Sequence, residues 1–211
     1  MGEAVNPVYS KNVIEFITVA NEYCKFMEGS FDESIEDFID KAHKMLPLLY
    51  LKGSLLPLIT EPYEEFNEKF VTESDYNRIR NSVLEKFGDY DLYEEIFDPI
   101  RQENDEPAQL SLSENLADIY QDIKDCVMQF RVGADEVMFN AIWECKQAFE
   151  QYWGQRAVNV LRVLHYLKYT VVEFDEEKIK AGNISGMNAN KTDTGNWFLS
   201  NMQEDYNEDG E

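Results

Sequence analysis

Carboxylates at helical spacing are the first groups in this sequence that could do chemistry. Glu64, Glu65 and Glu68 spell E-E-x-x-E, and further along Glu95 and Asp98 spell E-x-x-D. Acids three or four residues apart share one face of a helix, so two such helices packed together would present converging oxygens. An oxygen-only set suits a hard cation such as Mg²⁺, which could position a triphosphate for attack by water. The competing reading is two solvated acidic faces, since 42 of the 211 residues are Asp or Glu. Other metal chemistry is poorly supplied. The chain has only two histidines, His43 and His165, and three widely spaced cysteines, Cys24, Cys126 and Cys145, with no CxxC pair. An ordinary zinc site is therefore not expected, and the cysteines read as buried, reduced thiols. No phosphate-cradling glycine loop and no nucleophile elbow occurs.

A second constellation is defined by what it lacks. From Gln151 to Val172 there is no acid, although the formal charge of the whole chain is −23. On a helical wheel Gln155, Asn159, Arg162, His165, Tyr166 and Tyr169 fall within about a third of a turn, while Ala157, Val160, Leu161, Leu164 and Leu167 fill most of the rest. Arg156 adds a further cation. The functional reading of Arg156, Asn159, Arg162, His165, Tyr166 and Tyr169 is a binding stripe, with Arg162 as a forked donor and the tyrosines stacking. The internal reading has Arg156 and Arg162 pairing with acids of neighbouring helices such as Glu15, Glu22 or Asp118.

The elements that must position these groups are helical. Ten Gly and six Pro are few, and Glu, Leu, Asp and Lys recur in a 3.6-residue rhythm. Ser10 caps a first helix that Gly29 ends, and Ser30 caps a second that Pro47 kinks or stops. The run LPLLYLKGSLLPLI, 46–59, is apolar on every side and is assigned to the core. Ser74 or Asp75 starts a helix ending at Gly88, Arg101–Pro107 reads as a linker, and Ser113 caps a helix reaching Gly133. A further helical pattern leads through Trp153 into the acid-free stretch. Together these give an all-α fold, a single-domain bundle of about six or seven helices over 1–175. The segment 176–211, polar and net −5, is expected to be a disordered acidic tail, with Trp197, Phe198 and Leu199 as a possible anchor.

Two resemblances follow from these residues. The E-E-x-x-E and E-x-x-D pair resembles the metal site of the all-α nucleoside triphosphate pyrophosphohydrolases. That resemblance implies Glu65, Glu68, Glu95 and Asp98 as ligands of a Mg²⁺ cofactor, although Pro62 and Pro99 crowd both motifs. The strings NVIEFITVANEYCKFME, LPLLYLKGSLLP, SENLADIYQDIKD and YWGQRAVNVLRVLHYL resemble, from about Val13 to Tyr169, a family of helical proteins from Bacteroides-type bacteria classed as a domain of unknown function. This second resemblance implies one helical bacterial domain and carries no catalytic residues across.

Charge narrows the partners. A −23 chain opposes direct contact with nucleic-acid phosphates or anionic lipid, which both rely on Lys and Arg. The longest apolar run is too short and too interrupted to span a bilayer, and Met1–Ser10 lacks the basic and apolar regions of a signal peptide, so a cytoplasmic location is expected. The first functional expectation is a non-enzymatic interaction or regulatory domain whose partner is another protein, needing no cofactor. The alternatives are the Mg²⁺-dependent pyrophosphohydrolase and an acidic nucleic-acid mimic that blocks a DNA-binding protein.

Overall fold

The structure is a computed structural model that describes residues 6–59, 62–63, 68–95, 107–171 and 173–180. Its helices start where a side chain can take up an orphan backbone N–H. A short 3₁₀ turn, Pro7–Tyr9, leads into α1, Lys11–Gly29, with Ser10 accepting from the Val13 amide at 3.5 Å. The second helix, α2, spans Ile35–Ser54 and is capped by Ser34, whose hydroxyl takes the Asp37 amide at 3.1 Å. Ser30, the cap expected from sequence, is instead buried against the end of α1, its hydroxyl donating to the Met27 carbonyl. Glu36 and Asp37 in the first turn of α2 suit its positive end.

Pro47 neither stops nor splits α2, which runs through it to Ser54. An interior proline costs about 3 kcal/mol and leaves the His43 carbonyl without its usual donor. Beyond it, Leu49, Leu56 and Ile59 are buried, each contributing about 1.5–3 kcal/mol. Burial outweighs the lost bond.

The leucine-rich run is not wholly core, contrary to the sequence expectation. Leu46, Leu49, Gly53, Leu56 and Ile59 face inward, whereas Leu48, Leu51, Leu55 and Leu58 are 43%, 52%, 44% and 77% exposed.

The helix α3, Glu73–Phe87, opens with a reciprocal capping box between Thr72 and Asp75 and closes at Gly88. Gly88 has φ +54°, and a Cβ there would lie 2.4 Å from the Ile179 carbonyl oxygen, so both backbone conformation and close approach require glycine. A 3₁₀ turn, Gly88–Asp91, then feeds a two-stranded antiparallel hairpin: β1, Leu92–Glu95, pairs with β2, Ala108–Ser111, with Leu92 opposite Ser111 and Glu95 opposite Ala108. This hairpin is an addition to the all-α expectation. Residues 101–106 of the expected linker lie outside the described residues.

Ser111, not Ser113, caps α4, Leu112–Val132, accepting from Glu114. Ser113 is buried and held by Asp91, which accepts from its amide at 2.7 Å and its hydroxyl at 3.1 Å and from the Ser111 hydroxyl at 2.6 Å. Burial pushes the Asp91 carboxyl up, against these hydrogen bonds.

From α4 the chain turns into α5, Asp135–Ala148, passes through one π-helical turn, Phe149–Trp153, and continues as α6, Gly154–Thr170. The centre of the bundle is α4, which packs on α1, α3, α5 and α6; α2 lies on α1 and α6. At the crossing of α2 with the π-helical turn, a Cβ on Gly53 would come within 2.5 Å of Trp153, so only glycine lets the fully buried indole through. Residues 176–180 form one more helical turn, so the boundary expected at 176 falls inside ordered backbone; 181–211, with Trp197, Phe198 and Leu199, lie outside the described residues. Among the described residues no helix is long and apolar enough to cross a membrane.

Candidate functional site

The polar stripe of α6 is divided by the fold into two parts. Its N-terminal part is internal at Arg156. Arg156 donates through Nε to Asp118 Oδ2 at 3.0 Å, and its guanidinium lies 3.4 Å above the Tyr152 ring. Asp118 also accepts from Tyr152 Oη at 2.8 Å and from Tyr76 Oη at 2.9 Å, so one carboxylate ties α3, α4, the π-helical turn and α6 together. Burial, with Asp118 beside them, pushes both phenols well above their ordinary range. Asn159 takes a hydrogen bond from Gln155 one turn earlier at 2.8 Å. Arg156 therefore faces protein, whereas the bond to Asn159 runs along the exposed surface of α6 itself; Asp118 was the correct partner for Arg156, and Glu15 and Glu22 pair with lysines.

The C-terminal part meets α2. Arg162 reaches Glu95 of β1 at 2.5 Å, with its own side chain 60% exposed. One turn on, His165 Nδ1 lies 3.3 Å from His43 Nε2, so His43, for which the sequence suggested no partner, has one from the opposite end of the chain. Tyr169 stands edge-on to His43 and tilted against His165, at ring centroid distances of 5.7 and 4.8 Å, and Tyr166 is exposed beside it.

Below the rings, Asp40 of α2 bonds Lys168 of α6 and, at 2.6 Å, Lys44. These two lysines hold its carboxyl down to about 2. Burial, then Lys168 and His165, lower the proton affinity of His43. A cleft of about 300 Å³ lined by Glu36, Ile39, Asp40, Lys168, Val171 and Phe174 adjoins the seam. Its mixed charge and apolar floor could take a small ion or one side chain of a partner.

Of the carboxylate motifs, Glu68 and Glu95 are the described members. Glu68 sits in the exposed extended segment before α3, and Glu95 ends a β-strand with its carboxylate on Arg162; neither is on a helix. Glu65 and Asp98 lie outside the described residues. Among the described residues no group of three or more His, Cys, Asp or Glu is disposed to hold a metal ion.

A second polar region escaped the sequence reading altogether. Lys69, Asp122, Asp125, Cys126, Glu144 and Cys145 line a water-sized void of about 30 Å³ between α4 and α5. Asp125 accepts from the Phe70 and Val71 amides at 2.8 and 2.9 Å, Gln129 donates to the Glu68 carbonyl, and Lys69 pairs with Glu144 at 2.9 Å, so this cluster anchors the segment before α3. Asp122 Oδ2 is buried without a hydrogen-bond partner. Burial, with Asp118 and Asp125 adding repulsion against the pull of Lys69, pushes its carboxyl up to about 6. The cysteines are free and buried as expected, and burial pushes Cys145 well up, leaving it a poor nucleophile. The signal was present in the sequence: Asp118, Asp122 and Asp125 recur at one-face spacing on α4. Nothing local said that this face turns inward.

Fold and site together define a single helical bundle with a polar α2–α6 seam. The chain belongs to the family described as domain of unknown function (DUF5063), which it matches over residues 7–170. In three dimensions it is similar to protein BF1032 from Bacteroides fragilis, at 38% sequence identity and a TM-score of 0.70, over 80% of this chain and 99% of that one. No curated protein matches it.

Proposed function

We propose that this chain is a protein-interaction module without catalytic activity of its own, acting in the cytoplasm through the outer face of α2. The observation that carries this reading is the exposed row Leu48, Leu51 and Leu55, three leucines on one helical face, continued by Leu58 at 77% exposure. Leu48, Leu51 and Leu55 are half exposed and Leu58 largely so, so each forgoes part of a burial worth about 1.5–3 kcal/mol, and a contiguous apolar row of this kind is characteristic of a docking surface. An amphipathic partner helix laying its apolar face along α2 would cover it. In a −23 chain, a partner carrying cations at the rim of that helix is favoured in both encounter and register. Three reduced, buried cysteines agree with a cytoplasmic setting.

The test is a photo-crosslinking residue placed at Leu51 in cells that make the protein, with the exposed polar position Asn81 of α3 as control. A discrete adduct formed from position 51, absent from position 81 and lost in Leu48→Glu/Leu55→Glu, is the expected result. Equal labelling from both positions would remove the α2 face as the contact. Pyrophosphate release from nucleoside triphosphates in Mg²⁺, abolished by Glu68→Ala, would overturn the non-catalytic reading. Salt-labile capture of basic DNA-binding proteins, unaffected by the leucine substitutions, would favour a nucleic-acid mimic.

A further inference from the structure

We propose that His43 and His165 form a two-histidine site for a divalent transition-metal ion of the zinc, nickel or copper class, clamping α2 to α6. The site is independent of the leucine row.

Its geometry is the first argument. Zn–N(imidazole) bonds of about 2.0–2.1 Å set at the tetrahedral angle place two nitrogens about 3.3–3.4 Å apart. His43 Nε2 and His165 Nδ1 stand at 3.3 Å. They face each other across the gap, and a modest rotation of each ring about χ2, a soft torsion, turns both lone pairs toward a common point.

Second, the two ligands come from helices already locked together. Leu46 and Leu49 of α2 and Val160 and Leu164 of α6 are fully buried, and Tyr169 braces both rings. Little ordering entropy remains to oppose the ion. Without metal, the contact requires one proton between the rings. The ion takes that place, and each ring then carries its proton on the far nitrogen, Nδ1 of His43 and Nε2 of His165.

Third, ligand type sets selectivity. Imidazole nitrogens suit zinc, nickel and copper, while Mg²⁺ and Ca²⁺ prefer oxygen. With two protein ligands and solvent on the outer side, water fills the remaining positions, which is the open type of site. Lys44 and Lys168 oppose a cation locally and Asp40, bonded to both, offsets one of them; the net charge of the chain attracts cations at longer range. Affinity should therefore fall well short of a closed four-ligand site.

The experiment is calorimetric titration of the full chain with Zn²⁺, Ni²⁺ and Cu²⁺ in millimolar Mg²⁺, which occupies the surface carboxylates, on wild type, His43→Gln and His165→Gln. One ion per chain at micromolar affinity is expected, with each substitution weakening it at least tenfold and removing the zinc-dependent rise in Tm. Equal binding by all three proteins, or none by wild type, overturns the site. Because a substitution could disturb the seam, the imidazole ¹⁵N resonances of wild type supply an independent readout. On zinc addition His43 Nε2 and His165 Nδ1 must both shift; if either stays in place, the proposal fails.

Discussion

Asp40 and Asp122 are the same residue in opposite surroundings. Asp40 sits on the α2–α6 seam, half-exposed and bonded to two lysines, and its carboxyl is held down to about 2. Asp122 sits between α4 and α5 with one oxygen unpaired, and its carboxyl is raised to about 6. Solvent and counter-charges favour the ionised form at the seam, whereas burial beside like charges disfavours it in the pocket. The contrast separates two uses of polar residues: the seam is solvent-screened and open to ligands, while the pocket is enclosed, holds a backbone segment in place and carries a destabilising charge.

That contrast predicts a ranking. The largest effect comes from cutting the internal clasp: Asp118→Ala leaves Arg156 and two half-buried phenols without their acceptor and should cost about 2–3 kcal/mol in urea denaturation, below the loss for a fully buried pair because solvent reaches part of the clasp. Next is relief of the strained pocket. Unfolded, Asp122 ionises near 3.8; folded, near 6. Between those values the folded state keeps a proton that the unfolded state has released, so stability falls as pH rises from about 4 to about 6 and is level above. Asp122→Asn should therefore stabilise the chain by about 1–3 kcal/mol at pH 7.5 and by almost nothing at pH 3.5. A destabilised Asp122→Asn protein at pH 7.5 would mean that the unpaired oxygen is satisfied by a buried group or water.

Asp40 has the opposite sign. Its contribution is present above the unfolded value of 3.8 and is lost as pH falls toward 2, so Asp40→Asn should be less stable than wild type at neutral pH, by a small margin because solvent screens the pair, with the difference vanishing as pH falls toward 2 and the acid limb flattened. The smallest effect belongs to Arg162, whose exposed pairing with Glu95 is worth under about 1 kcal/mol. Arg162→Ala should leave the urea midpoint nearly unmoved, and a loss as large as that of Asp118→Ala would erase the distinction between the exposed and the internal cations of α6.

Much of the fold was legible in the residues. The Ser10 cap, the Gly29 and Gly88 ends, the all-α class and the buried cysteines follow from local rules about caps, periodicity and apolar spacing. Local rules failed where distant burial outvoted them. Pro47 reads as a break and is carried through by the packing of α2, and the leucine run reads as core although half of it faces out. Of the six stripe residues, the wheel correctly grouped His165, Tyr166 and Tyr169, yet could not supply His43, 122 positions away in the chain.

Sequence alone determined that this protein is an acidic helical bundle with one acid-free helix, because charge balance and 3.6-residue periodicity are properties of the chain itself. Which acids that helix would meet was decided only by tertiary structure. Asp118 clasps Arg156 because α4 runs through the middle of the bundle, and His43 meets His165 because α2 and α6 pack antiparallel at that level. Pair distances depend on where whole helices come to rest, and that is set by the summed burial of dozens of apolar side chains, a quantity no short window of residues contains.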